Sequence, residues 1–157
     1  LNWGLNVQLG YKTFALSMFF QGVYGVDVYN NQKFQTDFWS LTDAGSNKGN
    51  RMLGAWTEDN TSSKIPALTT NNTGDEGRAS TYFVEHGNWM KLRTLQLGYN
   101  FSDSLLKKLH MTSARVYVSG QNLFTWKSSS FTISDPENPN WAYPHSSSVS
   151  FGLQLSF

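Results

Sequence analysis

The 157-residue sequence has no cysteine, which removes disulfides and thiolate metal sites from consideration without fixing a compartment. It also lacks any run of about 18 apolar residues, so no transmembrane helix is expected. Charge is scarce: Lys, Arg, Asp and Glu make up 15% of the chain, against about 25% in ordinary soluble domains. Twelve basic residues face eleven acidic ones, and with no basic patch a nucleic-acid partner is not expected. The first residue is Leu1 and no charged segment leads into an apolar one, so no signal peptide is recognisable and a mature fragment is the expectation. G-x-S-x-G, P-loop and G-x-G-x-x-G motifs are missing, and the chain is not expected to be an enzyme. His86, His110 and His145 fall on different segments without ligand spacing, so no metal site is assigned to them.

Aromatic residues are plentiful, at 15% of the chain, and so is period-two alternation. Trp3, Leu5, Val7, Leu9 and Tyr11 are apolar, with Gly4, Asn6, Gln8 and Gly10 between them, which predicts a strand with one oily face. After Lys12 and Thr13 the apolar set moves to Phe14, Leu16, Met18, Phe20, Tyr24, Val26 and Val28. A tight turn at 11–13 between antiparallel strands explains the change of phase. Alternation resumes around Tyr82 and runs to Phe101, with a slip between Arg93 and Thr94 that predicts a β-bulge. Ser102 or Asp103 is placed to cap a short helix ending near Leu109. Ala114 to Trp126 reads as a fourth strand. The fifth closes the sequence in "SSSVSFGLQLSF", where Val149, Phe151, Leu153, Leu155 and Phe157 are apolar.

Between these strands lie a short turn at 12, a long polar segment at 29–79, a short link at 102–113 and a second polar loop at 128–145. Short turns at one end and long loops at the other are the asymmetry of outer-membrane barrels. The face opposite the oily one offers Ser, Gly, Asn, Gln and Thr, which suits a water-filled lumen. Five strands cannot close such a barrel, and an open edge in hydrocarbon leaves backbone groups unpaired at several kcal/mol each. Further strands are therefore expected outside these 157 residues. The competing architecture is a soluble carbohydrate-binding β-sandwich, which accounts for the rings but not for the Ser, Gly and Gln face.

The stretches "YKTFALSMFFQGVYGVDVYN", "GNWMKLRTLQLGYNFSDSLLKKL", "ARVYVSGQNLFTW" and "YPHSSSVSFGLQLSF" resemble, in order, the C-terminal barrel strands of SusC/RagA-type TonB-dependent outer-membrane transporters. The resemblance implies an all-β, antiparallel transmembrane barrel segment, residues 1–157 supplying about five C-terminal strands of a 22-strand barrel in the outer membrane of a Gram-negative cell. It further implies import of glycans or peptides. The implied partners are the rest of the barrel and its plug, a SusD-like lipoprotein, TonB acting through an N-terminal part not present here, the outer-membrane assembly machinery, and lipid with lipopolysaccharide. Two positions depart from the family: Ser102 stands where a Pro is frequent, and His110 where a Gly often follows the helix.

Several residues carry candidate roles. Phe38, Trp39, Trp56 and Trp141 have faces that stack on sugar C–H surfaces, and are assigned to substrate or lid contact, with loop packing as the plainer alternative. Trp126 and Tyr143, beside strand ends, are assigned to an aromatic girdle. Lys91, Arg93 and Arg115 alternate onto the lumen face, where they line a substrate path or make ion pairs with the plug. By resemblance, Phe151, Leu153, Leu155 and Phe157 form the assembly signal. Asp135 and Glu137 offer hard oxygens that suit Ca²⁺, but Pro136 and Pro139 explain the turn equally well; no cofactor is otherwise expected.

Overall fold

The computed structural model describes residues 1–37, 48–68, 78–138 and 143–157. They form two units, one made of Leu1–Val26, Gly87–Phe131 and Pro144–Phe157, the other of Asp27–His86 and Thr132–Tyr143.

The first unit is an antiparallel sheet. Strand β1 (Asn2–Tyr11) turns through Lys12 and Thr13 into β2 (Phe14–Val23). Lys12 takes a positive φ of 53°, as two-residue hairpins require, and Tyr11 pairs with Phe14 across the turn. The alternation expected to continue through Val28 instead stops at Val23: Gly25 has φ 70° and takes the chain out of the sheet. Within the second unit, β3 (Asp27–Tyr29) pairs with β4 (Val84–His86). The strand read as starting near Tyr82 is therefore two strands in two sheets, and the main one is β5 (Trp89–Asn100). Strands β6 (Ser113–Lys127) and β7 (Ser148–Ser156) follow. The large sheet has the order β1-β2-β5-β6-β7, so each strand pairs with its sequence neighbour within the unit, and β1 and β7 each keep one edge free of a partner strand among the described residues.

The slip at Arg93 is a bulge. Leu92 and Thr94 each find partners on β2 and β6, while Arg93 is skipped in both ladders. On β6 the residues skipped opposite it are Asn122 and Leu123, and Asn122 sits at φ 51°.

Between β5 and β6 a short helix spans Asp103–Lys108, with Ser102 at its N-cap position. Ser102 does not cap with its side chain; its hydroxyl lies 3.2 Å from that of Ser104. At the other end Met111 N–H bonds to the Leu106 carbonyl at 3.0 Å and His110 N–H to the Lys107 carbonyl at 3.3 Å. That pair is a Schellman closure, which needs a left-handed residue. His110 supplies it at φ 55°, in the place where glycine is the unstrained choice.

The second unit replaces the expected unstructured loop at 29–79 with local structure. A helix spans Asn31–Asp37, and 3-10 turns span Asn50–Gly54 and Thr81–Phe83. Met52, Ala55, Phe83 and Ile133 are buried there, and so are the polar side chains Asn30, Asp37, Glu85 and Asp135.

Candidate functional site

The ladder registers place every strand residue on one of two faces. Rows across the sheet run Trp3, Gly22, Met90, Trp126, then Leu5, Phe20, Leu92, Phe124, then Val7, Met18, Leu95, Gly120, Val149. They continue through Leu9, Leu16, Leu97, Val118, Phe151 to Tyr11, Phe14, Tyr99, Val116, Leu153. This face is apolar across all five strands, and much of it is open: Phe151 is 84% exposed, Leu153 62% and Leu9 57%. A continuous apolar surface of this extent is far beyond what a soluble monomer leaves uncovered.

The rings on this face collect at its two ends. At one end Trp3 lies over Gly22, where a Cβ would fall 2.6 Å from the indole, and Phe124 stacks on Trp126 at 5.8 Å. At the other, Phe14 and Tyr99 meet at 5.1 Å and Tyr99 meets Phe101 at 5.3 Å. From Trp3 to Tyr11 is about 27 Å along a strand at roughly 3.4 Å per residue. At a barrel tilt of about 40° that becomes ~20 Å of height, close to the apolar band of about 25 Å between aromatic girdles in outer-membrane barrels. Trp126, assigned to a girdle, lies in such a row. Tyr143 belongs to the second unit and is almost fully exposed.

The opposite face carries Asn6, Gln8, Ser17, Gln96, Ser119, Ser150 and Gln154, with Phe19 as an apolar exception packed toward Gly4. Lys91, Arg93 and Arg115 all belong to it. Arg93 donates to Gln21 Oε1 at 2.9 Å and to Asn122 Oδ1 at 3.1 Å, so the bulge re-aims its guanidinium along the polar face. Lys91 is buried, with its ammonium 5.8 Å from the Trp89 ring. Arg115 lies across Gly98, and Tyr117 across Gly152. In both places the missing Cβ is what lets a large side chain lie flat on the sheet.

In the second unit no pattern in the sequence marks the central feature, a buried polar network. Arg51 Nε donates to both oxygens of Asp37, at 2.8 and 2.9 Å, and the Tyr82 hydroxyl donates to the same carboxylate at 2.8 Å. Glu85 accepts from the Thr132 N–H at 2.8 Å and from its hydroxyl at 2.7 Å. Asn30 Nδ2 donates to that hydroxyl oxygen at 2.9 Å. Lys33 lies between, donating to the Tyr82 carbonyl at 2.6 Å with Glu85 at 3.9 Å. Burial lowers the Lys33 pKa against the opposing pull of Glu85. Burial raises the Tyr82 pKa above its ordinary 10.0, and the hydrogen bond to Asp37 adds to the rise. The partners lie 14 to 102 residues apart in sequence, and no spacing rule links them.

Of the four aromatic loop candidates, Phe38, Trp39 and Trp141 lie outside the described residues. Trp56 is exposed, on a turn fixed by Trp56 N–H to the Ile65 carbonyl at 2.9 Å and the Ser63 hydroxyl to the Gly54 carbonyl at 2.6 Å. Leu53, just before it, is 91% exposed. Asp135 is buried, and its carboxylate accepts the Glu137 N–H at 3.1 Å, the bond of an Asx turn.

No protein-family model matches the chain. Among curated proteins, TonB-dependent receptor P3 of Formosa agariphila is 30% identical over 173 residues, covering 98% of this chain and 16% of the receptor. TonB-dependent receptor P26 of the same organism is 28% identical over 172 residues, covering 100% of the chain and 17% of the receptor. The chain's homologues are TonB-dependent receptors. Among solved structures, the RagAB peptide importer in its closed-closed state matches with a TM-score of 0.79 at 28% identity, over 99% of this chain and 17% of the importer chain. Its open-open state gives a TM-score of 0.77. The antiparallel sheet thus matches a barrel segment of a SusC-like transporter. This chain spans about a sixth of the length of the TonB-dependent receptors it matches.

Proposed function

We propose that these residues are the C-terminal wall of a SusC/RagA-like, TonB-dependent transporter in the outer membrane of a Gram-negative cell, importing peptides or glycans with a SusD-like lipoprotein as partner. One observation carries the reading. Five consecutive strands present an unbroken apolar face to one side and an acid-free polar face to the other, with aromatic rows bounding the apolar band. Lipid satisfies the first face and a water-filled lumen the second, while a soluble sandwich would leave the first uncovered. The outer edges of β1 and β7 then pair with strands elsewhere in the same barrel, as hydrocarbon requires of every backbone N–H and C=O. Near-equal similarity to both states of the peptide importer favours a static wall, with transport movements elsewhere in the protein.

The second unit would serve capture outside the membrane. Its buried polar network holds the turn that displays Leu53 and Trp56, and stiff display lowers the ordering cost of binding. The test uses the full-length protein with residues 27–86 excised. Val26 and Gly87 are already joined by a hydrogen bond of 2.8 Å from the Gly87 N–H to the Val26 carbonyl, so an Asn-Gly turn can close the gap. The excised protein should insert as a heat-modifiable barrel but lose lipoprotein pull-down and TonB-dependent uptake of labelled peptides or oligosaccharides. Unchanged uptake and lipoprotein binding would remove the capture role from this unit.

A further inference from the structure

The end of the sheet that carries the short connections is basic. Between Tyr11 and Phe14, and between Asn100 and Ser113, the charged side chains are Lys12, Lys107 and Lys108 against the single acid Asp103. All three lysines are exposed. The two connections form one rim, because the Asn100 N–H donates to the Thr13 carbonyl at 2.8 Å and the Thr112 N–H to the Ser156 carbonyl at 2.8 Å. Lys12 leans to the apolar side of that rim: its ammonium lies 5.4 Å from the centroid of the Tyr11 ring, and Tyr11 belongs to the terminal apolar row with Phe14 and Tyr99. The short helix adds apolar surface of its own, with Leu106 buried while Leu105 and Leu109, one turn apart, are 38% and 56% exposed. Exposed leucines beside lysines suit the interface of a bilayer.

Immediately inside this rim the apolar face is hollow. Phe14, Tyr99 and Val116 in the terminal row, with Leu97, Val118 and Phe151 in the next, line a groove of about 260 Å³. Phe14 and Tyr99, their rings 5.1 Å apart, form the wall nearer the rim. Phe14 is two residues from Lys12, at most about 7 Å along the chain. The volume falls short of the roughly 300 Å³ at which pockets for compact small molecules begin, and the walls are apolar on every strand. Such a groove suits a single hydrocarbon chain, and a chain lying in it carries its polar end to the lysines.

We propose that this rim and groove bind an anionic phospholipid of the periplasmic leaflet, such as phosphatidylglycerol, with one acyl chain in the groove and the headgroup phosphate on Lys12, Lys107 and Lys108. The inference rests on the barrel reading above, which puts the short connections on the periplasmic side, and goes beyond it by naming the leaflet and the headgroup charge. Contact with lipid as such needs only the apolar face. Selection of a negative headgroup needs the excess of lysine at the rim. A second copy of the chain is a poorer occupant, because two-fold packing on this groove brings two basic rims together.

The test reconstitutes full-length protein in vesicles of phosphatidylethanolamine and phosphatidylglycerol, and compares two photoactivatable probes that share a diazirine-bearing acyl chain and differ only in these headgroups. Mass spectrometry locates and quantifies adducts at residues 97–99 and 116–118. The phosphatidylglycerol probe should label them at least about fivefold more, the worth of one lysine beside an anionic surface, and the excess should shrink as salt is raised. The triple variant Lys12→Gln, Lys107→Gln, Lys108→Gln should bring the two probes level, while Lys12→Arg, Lys107→Arg, Lys108→Arg keeps the preference. Equal labelling by the two probes in the unaltered protein, or a preference that survives the glutamine triple, would overturn the proposal. So would an assembled barrel with no adduct in the groove from either probe, since protein then covers the hollow. Heat-modifiability of the same samples is read alongside. An assembled barrel without the headgroup preference defeats the inference alone, whereas a protein that never forms a membrane barrel defeats the reading beneath it.

Discussion

The sheet and the inserted second unit solve the burial problem in opposite ways. The sheet leaves Leu9, Phe151 and Leu153 open, and its unit buries few apolar side chains among the described residues: Leu92 and Ala114 on the strands, Leu106 on the short helix and Phe131 beyond β6. The second unit buries Phe83 and Ile133 completely and, beside them, the carboxylates of Asp37 and Glu85, each answered by donors at hydrogen-bond distance. On the proposed barrel reading the first is finished by its solvent, lipid outside and a wet lumen inside. The other is finished by itself, with charge pairs standing in for a large apolar core. A sheet of the first kind tolerates polar change on one face only, and a unit of the second kind is brittle at a few buried polar atoms.

The contrast breaks most readily on the sheet. Leu95→Arg, at mid-band, should cost up to about 4 kcal/mol and sharply reduce assembled barrel, whereas Gln96→Arg, one residue away on the polar face, should assemble normally; the heat-modifiable fraction in outer-membrane preparations reads both. In the second unit, Asp37→Ala strands Arg51 and Tyr82 and should cost about 3 kcal/mol locally. Hydrogen exchange should rise at 27–37 and 81–86 while β5 stays protected.

Tyr82 gives the contrast a pH dependence. Its pKa is raised by burial and the Asp37 bond, so the stability its hydroxyl adds is complete below the unfolded value of about 10 and falls as pH climbs from there toward the folded value. Trp56 fluorescence should report loosening of this unit above about pH 10, and Tyr82→Phe should remove that step. The smallest effect is a gain: His110→Gly relieves a left-handed residue at the Schellman closure and should add about 1 kcal/mol, measured as a small rise in unfolding temperature.

The sheet was legible because its constraints are periodic. Apolar side chains at every second position fixed the five strands, Lys12 and Thr13 marked the hairpin, and the broken phase at Arg93 marked the bulge. The end of β2 was misread because Tyr24, Val26 and Val28 extend the same parity through Gly25, and parity alone does not show that a glycine has turned the chain away. The second unit resisted for the opposite reason. Its stability comes from single pairs such as Arg51 with Asp37 and Thr132 with Glu85, whose partners are set by tertiary geometry and leave no repeat in the sequence. The departure at His110 was visible as a missing glycine, and the structure gives it a cost.

The two-faced sheet is the central claim, and a chain without cysteine allows a direct test. Single cysteines placed at each position from Ser148 to Ser156, in full-length protein stripped of other thiols and held in its native membrane, would be labelled with a water-soluble maleimide. The account predicts labelling at 148, 150, 152, 154 and 156 and protection at 149, 151, 153 and 155, with the protection abolished by denaturant. Uniform labelling along β7, or the reverse alternation, would contradict it.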